Sequence, residues 1–340
     1  MAQTQQLQKT LKPFIENIRV AHPVGHLNLT LVPLGGEGHG RLDYILAADA
    51  IAAGQLTVSE VSAGGSVPEL LVASSCEQMI LLLDGEELVG AKQNRILNTT
   101  VLLPAKAQTK IPVSCVEQGR WHSTSVLFQP GSYSPAKLRA RKSRDVTRNL
   151  CAEGVARSNQ GAVWDEVEQN MAAVGAASPT MAMHDAIGHR QESIGSYLDA
   201  LKYPAGAGGV VVAINGRFAA LDLFDKPETL ERIWTRLLTG YAIDAIGQPT
   251  SGSKTFSAKA TETLLEHVGE IPCSLCPTVG VGQDWRFEAP DIVGQALVAN
   301  DVCAHLGVFP NVEMPNWLGN RPSIQPPSRR CRRQRGSELR

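Results

Sequence analysis

Two short polar clusters in the sequence carry the residue types needed to bind and cleave a phosphorylated sugar derivative. Asp84-Gly85-Glu86-Glu87 is followed closely by Lys92-Gln93-Asn94-Arg95, and Glu117-Gln118-Gly119-Arg120-Trp121-His122 follows the apolar run IPVSCV. Breaking an N-glycosidic bond needs a carboxylate that assists water or stabilises an oxocarbenium-like centre, and Glu87 and Glu117 are the candidates for that catalytic work. A diphosphate needs arginine, whose planar fork grips two oxygens at once. Arg95 and Arg120, with Lys92, are the candidate ligand-binding residues, and Trp121 offers an apolar face to a purine or nicotinamide ring. Loss of Arg120 is expected to abolish binding and leave the fold intact.

The same residues have a structural reading. Glu86 or Glu87 would pair with Lys92 or Arg95 across a turn, Asn94 would close that turn, and Trp121 would fill core space. Other motifs are weaker. Cys273-Ser-Leu-Cys276, with Cys303 and His305, approaches zinc-ligand spacing, but the second pair is too tight, so core thiols are expected and no metal site is assigned. Gly35 to Gly40 follows a strand-like run but lacks the Lys-Ser/Thr of a phosphate loop, which makes it a turn. His184 and His189, five apart, do not share a helix face and receive no role. A third polar group, Gln283-Asp284-Trp285-Arg286, follows the glycine-spaced GVGQ.

The elements that must position these clusters read as an α+β fold. From His26 to Trp121, LNLTLVPL, QLTVSEV, PELLVAS, QMILLLD, NTTVLLPA and TKIPVSCV are strand-like runs between turn residues, with a packed helix expected over Arg41 to Gln55. Ser134 to Tyr203 holds three helical runs, whose charges read as a solvated face. GVVVAINGRFAALDLF reads as a hairpin about Asn215-Gly216, the dipeptide favoured by type I′ turns. Amphipathic helices are predicted for Pro227 to Ala245 and Lys254 to Val268, and a strand-like stretch near Trp285 to Ala289 precedes IVGQALVAN. The organisation expected is a polar segment 1–13, one compact α+β domain 14–312 and a disordered basic tail 313–340. Within the domain, a β-rich half spans 14–131, a helical block 132–206 and an α/β half 207–312.

Composition narrows the setting. The 340 residues carry a net charge of −1, but residues 321–340 hold seven arginines and one glutamate, +6 in sum, leaving −7 elsewhere. A mildly acidic body of this kind is a poor match for phosphate backbones, so no nucleic-acid partner is expected. There is neither a secretory signal nor an apolar run of about 18 residues. A cytoplasmic protein without a membrane partner follows, and its seven scattered cysteines are expected as thiols.

LLLDGEELVGAKQNR, SCVEQGRW, AINGRFAALDLF and GVGQDW together resemble a bacterial family described as ADP-ribosyl-glycohydrolase and rhodanese-phosphatase-associated protein domains. The resemblance spans about residues 20–310, and its most specific motifs lie between Leu81 and Trp121. It implies a role near ADP-ribose or NAD metabolism and carries over Glu86, Glu87, Lys92, Asn94, Arg95, Glu117, Arg120 and Trp121. The Cys273/Cys276 pair and the arginine tail lie outside it. The leading expectation is therefore a nucleotide-type ligand at a strand-end cleft, with hydrolysis left open. The alternatives are a non-catalytic accessory protein whose helical block is a partner surface, and a hydrolase that holds a metal on its carboxylates. Cofactor and oligomeric state are not fixed by the sequence.

Overall fold

The computed structural model describes residues 9–36, 41–250 and 255–311. The first part of the chain forms α1 (Lys12–Ile15), β1 (Arg19–Val20), β2 (Val24–His26), β3 (Leu29–Gly35), β4 (Tyr44–Leu46), α2 (Ala47–Ala52), β5 (Leu56–Glu60), β6 (Glu69–Ser74) and β7 (Met79–Leu82). Five strands that carry or flank the polar clusters follow: β8 (Glu86–Gly90), β9 (Arg95–Leu97), β10 (Val101–Leu103), β11 (Gln108–Cys115) and β12 (Phe128–Tyr133). The helical block is α3 (Ala136–Glu153), α4 (Gln160–Val174), α5 (Met183–His189) and α6 (Gln191–Ala200). The remainder is β13 (Gly209–Ile214), β14 (Arg217–Phe224), α7 (Pro227–Ile246), α8 (Ala258–Glu270), β15 (Ser274–Cys276), β16 (Gln283–Glu288), β17 (Ile292–Ala299) and β18 (Val302–Pro310).

The fold is α+β, with three sheets among the described residues. A nine-stranded sheet runs β1-β3-β13-β14-β18-β17-β16-β15, with β2 also on β3, so the first strands of the chain share a sheet with the last ones. The β-rich first half is thus divided among three sheets. β13 is buried along its whole length because both faces of this sheet are covered. Val210 and Val212 pack with α3, α4, α6 and α7, while Val211 packs with α1 and α8. The Asn215-Gly216 turn that closes β13 on β14 has φ of 52° and 73°, both in the left-handed region that a type I′ turn demands.

A six-stranded sheet, β12-β8-β9-β11-β6-β5, and a three-stranded one, β10-β7-β4, complete the scaffold. The helix expected over Arg41 to Gln55 is shortened to α2. Tyr44–Leu46 instead pairs in parallel with β7, where Ile45 meets Ile80 and Leu46 meets Leu81. Cross-strand pairing of these apolar side chains outweighs the modest helix preference of the segment.

The helical block follows local rules at its ends. Asn159 caps α4 by accepting from the Ala162 N–H, and Gly154 and Gly175 end α3 and α4 with φ of 71° and 64°. The third run expected in this block is broken at Arg190 into α5 and α6. Of the exposed large apolar side chains among the described residues, this block contributes Val155 alone. Among the described residues no helix is long and apolar enough to cross a membrane. The Lys254 start, Glu37 to Gly40 and the basic tail lie outside the described residues.

Candidate functional site

Glu117 follows β11 and is the centre of a closed clamp. Its Oε1 accepts from Arg120 Nε at 2.7 Å and Thr180 Oγ1 at 2.9 Å, and its Oε2 accepts from Arg120 Nη2 at 2.5 Å and the Asn94 backbone N–H at 3.0 Å. Burial raises the Glu117 pKa, but the Arg120, Asn94 and Thr180 hydrogen bonds outweigh it and hold the carboxyl below its ordinary range. Arg120 spends its remaining donors on the carbonyls of Gly90, Ala91 and His122, on Thr124 Oγ1 and on Asn94 Oδ1. Asn94 also accepts from the Gly90 N–H at 3.1 Å and so closes the turn between β8 and β9. Arg120 ties three segments together with no N–H left over. Its removal is a structural perturbation, contrary to the expectation that the fold would stay intact.

Arg95 is the opposite case. It starts β9, lies between β8 and β11 and is completely buried. Its Nη1 donates to Gln93 Oε1 at 3.1 Å and to the Asn94 carbonyl at 3.5 Å, while Nε and Nη2 have no hydrogen-bond partner among the described residues. Those two atoms form the edge by which guanidinium takes a carboxylate or phosphate two-pronged, the edge that Arg120 gives to Glu117 and Arg286 gives to Asp284. Burial pulls the Arg95 pKa down, countered by Cys115, Glu60 and Glu117. Its Cζ is 5.9 Å from the Trp121 ring centroid, and Lys92 Nζ is 5.3 Å from the same ring. Trp121 is 48% exposed, so it does not fill the core.

Neighbouring polar atoms are also unused. Cys115 is cross-strand from Arg95 and its thiol faces Gln93 Oε1 at 3.2 Å, with Gln160 of α4 bonding to both of its backbone groups. Burial pushes the Cys115 thiol up, and Arg95 and the Trp164 indole N–H work against that rise. Among the described residues Trp164 Nε1 meets only Cys115, and Glu60 Oε2 has no hydrogen-bond partner.

Glu86 and Glu87 do not pair with Lys92 or Arg95 across the β8–β9 turn. Glu86 pairs with Arg236 of α7 at 2.8 Å. Glu87, fully buried, accepts from the Ser132 N–H at 3.3 Å and from His184 Nδ1 at 3.0 Å. Gly131 makes room for this carboxylate, since a Cβ there would meet Glu87 Oε2. The His184 imidazole is 45% exposed, and Glu87 raises its pKa. No sequence signal separated His184 from other helix histidines.

A third group is wholly internal. Asp84 pairs with Arg139 and Lys142 of α3, and Arg139 takes Asp222 two-pronged at 2.9 and 2.6 Å. Asp222 also accepts from Tyr241 and binds His305 Nε2 at 3.0 Å, whose Nδ1 meets Thr100 Oγ1 at 2.7 Å. Asp284 and Arg286 belong to the same layer through Thr99 and Gln295. Burial lowers Lys142 to about 8 despite its Asp84 partner. Arg139 and Lys142 therefore lie in the core, where the sequence suggested a solvated face. Their spacing with Val146 and Leu150 on one helix face was the readable sign. Among the described residues no group of three or more His, Cys, Asp or Glu side chains is placed to hold a metal ion.

Residues 17–309, which hold all of these groups except the helix α1 at the start, match the model of the ARG and Rhodanese-Phosphatase-superfamily-associated Protein domain, ARPP-1. The chain belongs to this family. No curated protein and no solved structure matches it. The ARPP-1 domain thus places Glu117, Arg120 and Asn94 in one bracing clamp beside a guanidinium with an unused edge. Glu87 and His184 lie on β8 and α5, and the Glu117 charge acts on both His184 and Arg95.

Proposed function

We propose that this ARPP-1 domain binds a nucleotide-derived ligand of the ADP-ribose or NAD class beside Arg95 and Trp121, where β9 begins and β11 ends within the six-stranded sheet. The observation that carries the reading is the idle Nε/Nη2 edge of a completely buried arginine. A buried donor without a partner costs about 1–3 kcal/mol, and more when charged, so a native fold retains one where something binds it. The shape of that edge calls for two coplanar oxygens, as a phosphate or carboxylate offers.

Lys92 adds a second positive charge within 5.3 Å of the Trp121 ring centroid, and the half-exposed indole gives a flat ring something to lie on. Asn94, Glu117 and Arg120 act by holding the turn that carries Lys92 and Arg95. Trp121 sits on the loop between β11 and β12, whose Val126 and Leu127 are also exposed, and ligand entry requires this loop to lift from Arg95. Within this reading the family's carboxylates divide their roles: Glu117 positions, and Glu87 faces a titratable imidazole.

Isothermal titration of the full chain with ADP-ribose, NAD, AMP and ribose 5-phosphate tests the proposal. Arg95→Lys keeps the charge and loses the two-pronged edge. Two charge-assisted hydrogen bonds of about 1.5–3 kcal/mol each are removed, so binding should weaken at least about 100-fold. Equal binding by wild type and Arg95→Lys, or no binding of any of the four compounds, would exclude this reading.

A further inference from the structure

The end of β5 brings a second idle group to the face of the six-stranded sheet that carries Arg95. Glu60 stands opposite Leu70, Leu70 stands opposite Ile111, and Cys115 of the same strand as Ile111 stands opposite Arg95. Side chains alternate between faces along a strand, and Ile111 and Cys115 are four residues apart, so Glu60, Cys115 and Arg95 share one face. The side-chain contacts agree with this register. Glu60 Oε1 accepts from the Lys92 N–H at 3.3 Å, in the turn that leads into Arg95, and Lys92 Nζ donates to the Gly64 carbonyl at 2.9 Å. Glu60 is near enough for its charge to oppose the fall of the Arg95 pKa on burial.

Glu60 Oε2 is buried and, like Arg95 Nε and Nη2, has no hydrogen-bond partner among the described residues. A carboxylate and a guanidinium idle on one face would satisfy each other if they met, but each is tethered through its other atoms. The Lys92 N–H holds Glu60, while Gln93 and the Asn94 carbonyl hold Arg95. Gly65 keeps side chains away from the free carboxylate oxygen. Its φ is 78°, and a Cβ there would stand 3.3 Å from Glu60 Oε2 and 3.0 Å from Lys92 Cδ. An ionised carboxylate only accepts and a guanidinium only donates. A molecule that satisfies both therefore presents an oxyanion to Arg95 and a hydroxyl to Glu60, and a bare oxyanion would face the Glu60 charge uncompensated.

We propose that Arg95 and Glu60 together bind a ribose 5-phosphate unit, with the phosphate on the Arg95 edge and a hydroxyl of the same sugar donating to Glu60 Oε2. The proposal rests on the ligand reading of Arg95 given above and narrows it to nucleotides that keep their ribose hydroxyls. Glu60 is the specificity-determining residue, because its charge repels an oxyanion that brings no hydroxyl and rewards one that does. Trp121, whose ring centroid is 5.9 Å from Arg95 Cζ, is placed for the base that the sugar carries.

The test is isothermal titration of the full chain with AMP and with dideoxy-AMP, the analogue that lacks both ribose hydroxyls. The wild type should bind AMP at least about tenfold more tightly, since the analogue forgoes a hydrogen bond to a charged group. Glu60→Gln keeps the size of the side chain and an oxygen for the Lys92 N–H. In this variant the preference for AMP should fall to within about threefold. Dideoxy-AMP should bind Glu60→Gln at least as tightly as it binds the wild type, because a negative charge beside the phosphate has gone. If Glu60→Gln does not fold, Glu60→Asp replaces it, a change that draws the carboxylate back from the sugar and should lower the same preference.

A wild type that binds the two adenylates alike would overturn the proposal, with water in the place of the hydroxyl, and so would a Glu60 variant that keeps the wild-type preference. A wild type that binds ADP-ribose through Arg95 and neither adenylate also overturns it, and leaves the ligand reading standing. Failure of the wild type to bind any of these nucleotides, or binding that Arg95→Lys leaves unchanged, overturns the ligand reading itself.

Discussion

Replacing Arg95 by methionine should leave the ligand-free protein at least as stable as before, although the side chain is completely buried. Two idle donors, Nε and Nη2, cost the native state about 1–3 kcal/mol each. Methionine removes that cost. It also removes the Nη1 hydrogen bond to Gln93, about 1.5–3 kcal/mol, and the contact with Trp121, about 0.5–1 kcal/mol. The difference favours methionine by about 1 kcal/mol, a rise in Tm of about 2 °C for a chain of this size. Arg139 supplies the control, since it is equally buried and fully engaged with Asp222 and Asp84. Arg139→Met strands two carboxylates and should cost about 3–5 kcal/mol. Calorimetry of the three proteins at pH 7, with and without ADP-ribose, reads both effects. A loss of about 3 kcal/mol or more in Arg95→Met would show that its fork is engaged in the native state, and the ligand assignment would fall with it.

Three further outcomes follow from the same contacts. Arg120→Ala leaves Glu117 buried and unpaired, so urea denaturation should show a loss of about 3–5 kcal/mol; a change under 1 kcal/mol would contradict the bracing role. Asp244 in α7 is pushed up to about 7 by burial, so the folded state holds a proton that the unfolded state releases near its ordinary 3.8, and stability falls as pH rises from about 4 to 7. Asp244→Asn should flatten the fall and stabilise the protein at pH 8, by at most roughly 4 kcal/mol, and an unchanged pH dependence of Tm would refute it. Cys151 Sγ at the end of α3 lies 3.5 Å from Cys276 Sγ on β15, so oxidised glutathione should link them with a 2 Da mass loss that Cys151→Ser abolishes. Closing a loop of over a hundred residues should then stabilise the chain by up to about 4–5 kcal/mol, and no linked peptide in a digest would refute the pairing.

Much of the fold was legible because local signals and tertiary packing agree. Asn215-Gly216 allows little but a type I′ turn, and the apolar run of β13 is as continuous as a doubly covered strand requires. The strand β18 was not read, since VCAHLGVFP mixes small, apolar and ionisable residues, and His305 belongs there only because Asp222 and Thr100 receive it. Arg41 to Gln55 misled because pairing with β7, remote in sequence, overrides local preference. The polar segments around Arg95 and Glu117 were legible as a site by density of residue type. Their division was not. Arg95 and Arg120 look alike in sequence, and only the count of partners separates an idle guanidinium from a saturated one. His184 was dismissed for its spacing from His189, whereas its relevant partner, Glu87, lies 97 positions away.

The most direct test of the account is the Arg95 Nε–H resonance in a 1H–15N spectrum recorded during a titration with ADP-ribose, assigned by its absence in Arg95→Lys. A ligand oxyanion on the idle edge predicts a saturable downfield shift of that proton and slower exchange with water, with the same midpoint as the calorimetric titration. An Nε–H that stays in place while ADP-ribose binds would contradict the assignment of Arg95 as the anchor.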